Sequence, residues 1–150
     1  MLKFEPLCRI EARVGPIVTL GRAQYGERRV VSILGGTVTG GGMNGEILPG
    51  GADWQISRDD GVLDIEAHYV LRLDDGASVE VTSSGYRHGP PEVMGRLHRG
   101  EPVSPDEYFF RTVIRFQTGA AAHLHLNRTL AIASAARERE LVKLHVFRLL

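Results

Sequence analysis

Asp53 stands beside Trp54, the only tryptophan among 150 residues, directly behind the turn signal Pro49-Gly50-Gly51. A carboxylate held against an indole is poorly hydrated, which raises its pKa and suits it to give and take a proton near neutral pH. The same acid behind a turn can instead accept backbone N–H groups of Gly50 and Gly51 while Trp54 fills core. Adjacent strand residues face opposite sides, so one of the two at most points into an interior. His123 and His125 form an H-x-H pair, which on a strand would set both imidazoles on one face at metal-ligand spacing. Zinc or iron needs a third ligand, and no carboxylate or histidine lies nearby in sequence, so the reading is metal-free. His125 is then a neutral hydrogen-bonding or proton-shuttling group, or a loop residue bonded to backbone.

Three arginines, Arg72, Arg111 and Arg115, lie in alternating runs. Arg111 and Arg115 share a phase with Phe109, Val113 and Gln117, whereas Tyr108, Phe110, Thr112, Ile114 and Phe116 form the other. An arginine facing inwards holds a carboxylate or phenolate, but a polar lumen and a solvated outer face give the same alternation. Asn127 offers an amide to a substrate oxygen or caps a turn, and Tyr69 and Tyr108 offer phenols or fill core. Cofactor motifs are missing. TGGGMNG at 39–45 lacks the strand-to-helix setting of a dinucleotide loop, and there is neither a P-loop lysine nor a G-x-S-x-G elbow.

Several elements are needed to position such groups. Eighteen glycines punctuate short β-branched or alternating runs, the rhythm of an all-β sandwich or barrel rather than of βαβ units. Leu63, Ile65, Ala67, Tyr69, Leu71 and Leu73 form one phase of a period-2 pattern, and Asp74-Asp75-Gly76 turns the chain into a second strand. Further strands are predicted at 4–14, 28–34, 37–39, 45–48, 54–58, 108–117, 129–135 and 141–149. One helix is predicted over 90–100, opened by Pro90-Pro91 and stopped by Gly100. The sum is a single domain over residues 1–150, a closed antiparallel barrel of about eight to ten strands with one short helix.

Composition agrees with one globular domain: 43% apolar, 24% charged. Lys plus Arg equals Asp plus Glu at 18 each, which gives no global attraction to nucleic acid or to an anionic membrane. A lone cysteine, Cys8, excludes an internal disulfide and fits a reducing cytoplasm. Charges at Lys3, Glu5, Arg9 and Glu11 break any signal-peptide core.

GGADW at 50–54, YVLRLDDG at 69–76, RHGPPEV at 87–93, EYFFRT at 107–112 and HLNR at 125–128 occur in an order that resembles the family known as domain of unknown function 3237, or uncharacterised protein family 0311. The resemblance spans about residues 7–147. It implies an antiparallel barrel of calycin-like shape whose lumen suits a small ligand, and little about chemistry. Two positions depart from the family pattern. Gln117 stands where members usually carry glutamate, and His125 where they usually carry tryptophan. If those positions line the lumen, this chain has exchanged a carboxylate for an amide and gained an imidazole.

The combined expectation is a cofactor-independent enzyme of lyase, isomerase or cyclase type, acting by proton transfer on a small aromatic or polyketide-like molecule in the lumen. Asp53 moves the proton, Arg111, which lies in a family motif, holds the enolate or phenolate oxygen, and His125 assists. Trp54, Tyr69, Arg72, Tyr108, Phe116, Gln117 and Asn127 complete the binding wall. The alternative is a lipocalin-like carrier that binds without reaction. The expected partner is a small apolar or aromatic ligand, with a homodimer as the default assembly.

Overall fold

The computed structural model describes residues 1–150. Nine strands follow one another: β1 (Phe4–Ala23), β2 (Gly26–Thr39), β3 (Gly45–Ile47), β4 (Gly51–Ser57), β5 (Leu63–Leu73), β6 (Ser78–His88), β7 (Phe109–Gln117), β8 (Leu130–Glu138) and β9 (Leu141–Leu149). All pairings are antiparallel. β1 pairs with both β9 and β2, and β2 reaches β5 through β3 and β4, so the hydrogen-bonded ring closes. This is the barrel expected from the alternation, with nine strands and one α-helix, α1 (Pro91–His98). Two 3₁₀ segments accompany them, Pro105–Glu107 and Ala121–Arg128.

Alternation fixes what each strand buries. On β7, Phe110, Thr112, Ile114 and Phe116 are buried while Phe109, Arg111, Val113, Arg115 and Gln117 are exposed. On β5 the buried set is Leu63, Ile65, Tyr69, Leu71 and Leu73. All of these but Thr112 join a core of 30 buried residues, each large aliphatic or aromatic side chain contributing about 1.5–3 kcal/mol of burial. No helix is long and apolar enough to cross a membrane.

The two barrel ends differ. At one, Met43 and Leu126 are fully buried with Leu71 and Val79, and His123 Nε2 lies 2.6 Å from Asp75 Oδ2, tying the 3₁₀ segment to the β5–β6 turn. At the other end the chain leaves β6 through Gly89 and enters α1, whose Pro91 suits a first turn and whose Val93 and Leu97 are buried. Gly89 packs against Tyr108, and Gly100, at φ +76°, packs against Arg139 in the β8–β9 turn. The segment from Gly89 to Tyr108 therefore covers this end.

Two expectations about element limits are corrected. Runs 28–34 and 37–39 are one strand, because Gly35 and Gly36 adopt φ values of +154° and +141° and carry β2 through a bend instead of ending it. The strand predicted to stop at Val14 continues to Ala23, with register shifts between Arg13 and Val14 and between Val14 and Ile17 absorbing Gly15-Pro16.

Candidate functional site

The covered end holds the polar interior. β4 turns Asp53 and Gln55 inwards on alternate positions, and β2 sets Arg29 opposite Gln55 in register. Arg29 donates from Nη2 at 2.7 Å and from Nε at 3.2 Å to Gln55 Oε1. That fixes the amide, so Gln55 Nε2 faces Asp53 and donates to its Oδ2 at 2.9 Å. Asp53 Oδ1 is shielded from solvent and has no protein partner. Beside it lies a narrow cavity of about 40 Å³, lined by Tyr69, Ser83, Thr112 and Phe110 among mostly apolar residues. The Tyr69 hydroxyl and Thr112 Oγ1 are likewise buried and unpaired. Three unmet polar atoms thus come from residues lining one cavity, an arrangement that suits a small polar ligand group rather than core packing.

Two more arginines complete the end. Arg87, at the end of β6, places its guanidinium 5.5 Å from the centre of the Phe110 ring, and its Nε is buried without a partner. Arg137, near the end of β8, donates its backbone N–H to the Tyr108 hydroxyl at 2.9 Å. Burial is the first influence on Asp53 and lifts its carboxyl above the ordinary range, opposed by the Gln55 hydrogen bond and then by Arg87, Arg137 and Arg29. Burial and the two neighbouring guanidiniums bring Arg87 down to about 10, with Asp53 and Tyr108 acting against them. Arg137 and Arg29 are lowered first by burial as well. The Tyr69 phenol is pushed up, mainly by burial.

Of the residues singled out from sequence, Asp53, Tyr69 and Tyr108 meet at this end, and Phe116 is buried on the same inward phase of β7, further along the barrel. The rest do not line the lumen. Trp54 faces outwards, 40% exposed, with Arg28 stacked 5.3 Å over it, because Asp53 takes the inward phase of β4. Arg111 and Gln117 fall on the outward phase of β7, and Arg72 on that of β5. Arg111 lies 5.6 Å over Phe109 and donates to the Phe110 carbonyl. His123 and His125 sit on a 3₁₀ segment rather than a strand, so their rings diverge: His123 is buried against Asp75 and His125 is exposed. Asn127 caps the turn after β7, accepting from Thr118 N at 2.8 Å and donating to Thr118 O at 2.9 Å. The departures at Gln117 and His125 therefore alter the outer surface and not the lumen.

Sequence reasoning missed Arg29, Gln55, Arg87 and Arg137. The three arginines extend an inward phase: Arg87 follows Val79, Val81 and Ser83, Arg29 precedes Val31 and Ile33, and Arg137 follows Ala131, Ala133 and Ala135, while Gln55 shares the phase of Asp53. A charged residue continuing a buried phase was the available signal.

A larger concavity of about 730 Å³ lies on the outer wall, where Trp54, Tyr86 and Phe109 stand between Arg28 and Arg111. It is open, and its polar groups are in reach of water, whereas the interior groups are not. The interior is the better candidate for chemistry.

The family model described as protein of unknown function (DUF3237) matches residues 2–149. A UPF0311 protein of Rhodopseudomonas palustris is 43% identical over 141 residues, covering 94% of this chain and 92% of its own. A crystal structure of a conserved protein of unknown function from the same species superposes with a TM-score of 0.95 at 41% identity, covering 100% of this chain and 98% of that one. A β-barrel-like protein of Acinetobacter baumannii gives 0.88 at 36% identity, covering 100% and 97%. An enzyme from Penicillium herquei shares the fold at a TM-score of 0.75 and 18% identity, covering 99% and 95%. With nearly every residue inside the family model and close relatives matching end to end, the chain belongs to the DUF3237 family.

Proposed function

We propose that the chain is a cofactor-independent enzyme that moves a proton on a small aromatic or polyketide-like molecule, by isomerisation, elimination or cyclisation, with Asp53 as the acid–base group. One observation carries the reading: a buried carboxyl with one oxygen fixed by Gln55 and the other unpaired, in the lining of a cavity. Burial raises the Asp53 carboxyl above its ordinary value, which makes its carboxylate the stronger base. Asp53 takes a proton from a carbon acid or hydroxyl, and the electron pair left behind becomes an enolate or phenolate facing guanidiniums instead of water. The proton then returns at another position or to a leaving group. The Tyr69 and Thr112 hydroxyls are free to orient the substrate.

The cavity has room for about three waters, so it takes the reacting end alone, and the remainder of the substrate lies outside it. The P. herquei neighbour is an enzyme, which makes catalysis compatible with this barrel without specifying it.

A carrier that binds without reaction is the second reading, favoured by a lining in which nine of twelve residues are apolar. Incubating wild type and Asp53→Asn with an extract of the source cells, followed by mass spectrometry, separates the two. Proton transfer predicts a compound consumed by the wild type and consumed about 10²–10⁴-fold more slowly by the variant. A compound retained unchanged by both proteins would make this a carrier.

A further inference from the structure

The covered end carries more positive charge than its own residues balance. Arg29, Arg87 and Arg137 all act on one another or on Asp53, the single carboxylate among them. Glu27 lies two residues from Arg29 on β2, is exposed, and acts on Arg29 alone. Arg29 is also tied to Gln55 through both Nε and Nη2. Arg87 and Arg137 have no acidic partner besides Asp53, and neither forms an ion pair with it. Arg87 and Arg137 are half-buried and Arg137 Nη2 donates to the Arg139 carbonyl at 3.1 Å, so no carboxylate neutralises either guanidinium, and an incoming anion would complete the set. The Nε–H of Arg87 is a buried donor with no acceptor, one arm of the side-on fork that a carboxylate fits with two oxygens.

Resting on the reading of this end as the ligand site, we propose that the molecule it takes is an anion, whose carboxylate or ionised enol or phenol is held by Arg87 with Arg137. Asp53 lies alongside, so the negative group is bound next to the proton that moves. The arginines then select the substrate and lower the charge built up during proton removal, while Asp53 does the transfer.

Matched carboxylate and amide pairs test this on the full chain: butanoate against butanamide, and benzoate against benzamide, by calorimetry and by the arginine Nε–H signals in ¹H–¹⁵N spectra. The expected result is binding of each carboxylate about tenfold tighter than its amide, with a shift of the Arg87 signal. Arg87→Gln should bring each pair within about twofold, whereas Arg9→Gln, on the exposed face of β1, should leave the ratio intact. Equal binding of acid and amide by the wild type, or an unchanged ratio in Arg87→Gln, would overturn the assignment. So would equal loss in Arg9→Gln, which would mean adsorption to surface charge. If Arg87→Gln does not fold, Arg137→Gln replaces it, and the wild-type Arg87 signal still decides. The two proposals fail separately. Turnover that depends on Asp53 with no acid–amide discrimination sinks the anion site alone, and discrimination with turnover indifferent to Asp53 sinks the proton transfer alone.

Discussion

Asp53 is pulled in opposite directions by burial and by the guanidiniums around it, and burial wins. Its folded pKa lies above the unfolded value of about 3.9, so the ionised form is less favoured in the barrel than in the open chain. The wild type consequently gives up stability as pH rises through the interval between those two values, and below it the carboxyl is neutral in both states. Asparagine has the same shape without the charge. Asp53→Asn should therefore melt higher than the wild type at pH 7, by about 2–4 °C for each kcal/mol relieved, with the gap closing as pH falls through that interval and gone below about 4. Melting curves at several pH values check this. A variant that melts lower at pH 7 would mean that the guanidiniums outweigh burial, and Asp53 would then be a structural counter-ion. Gain of stability with loss of turnover is what a residue kept for function gives.

Strands place these side chains, and a strand has two faces, so a phase error misplaces every residue on it at once. The run 108–117 displayed its two phases in sequence, but not which one was inside. The structure resolves it through Phe110, Ile114 and Phe116, which outweigh the outward Phe109 and Val113, and Arg111 goes out with the latter pair. Barrel closure, strands such as β5, β7 and β9, and α1 were legible because they rest on alternation and glycine spacing, whereas β1 and β2 run on through glycines that read as breaks. The arginine layer was not, because Arg29, Arg87 and Arg137 come from β2, β6 and β8 and meet only through ring closure. β2 shows how closely that closure depends on one residue type. A Cβ on Gly36 would lie 2.0 Å from the Glu11 carbonyl oxygen of β1, and its φ of +141° is strained for any other residue. Gly36→Ala should cost about 2–3 kcal/mol and lower the melting temperature by about 5–10 °C. An unchanged melting temperature would show that β1 and β2 can separate locally without loss.

A closed ring has no independent piece, because removing one strand exposes both neighbours. Cys8 reports on this property from the seam. It lies on β1, which pairs with β9 on one side and β2 on the other, and the residue is 6% exposed. Burial pushes its thiol up to about 12, so at pH 8 the native protein holds almost no thiolate there, and thiol reagents react with the thiolate. Labelling then requires β1 to leave the wall. If the barrel unfolds as one unit, labelling of Cys8 and loss of the far-UV circular dichroism signal share a midpoint in a denaturant titration. Labelling at clearly lower denaturant would show that β1 detaches first and that the ring opens before the rest melts. That outcome bears on the site, since Ala12 and Val14 of β1 line the cavity beside Asp53 and a loosened β1 would let water reach that carboxyl. The single midpoint is the expected result, because the interior polar groups stay shielded from solvent only while every strand of the wall is in place.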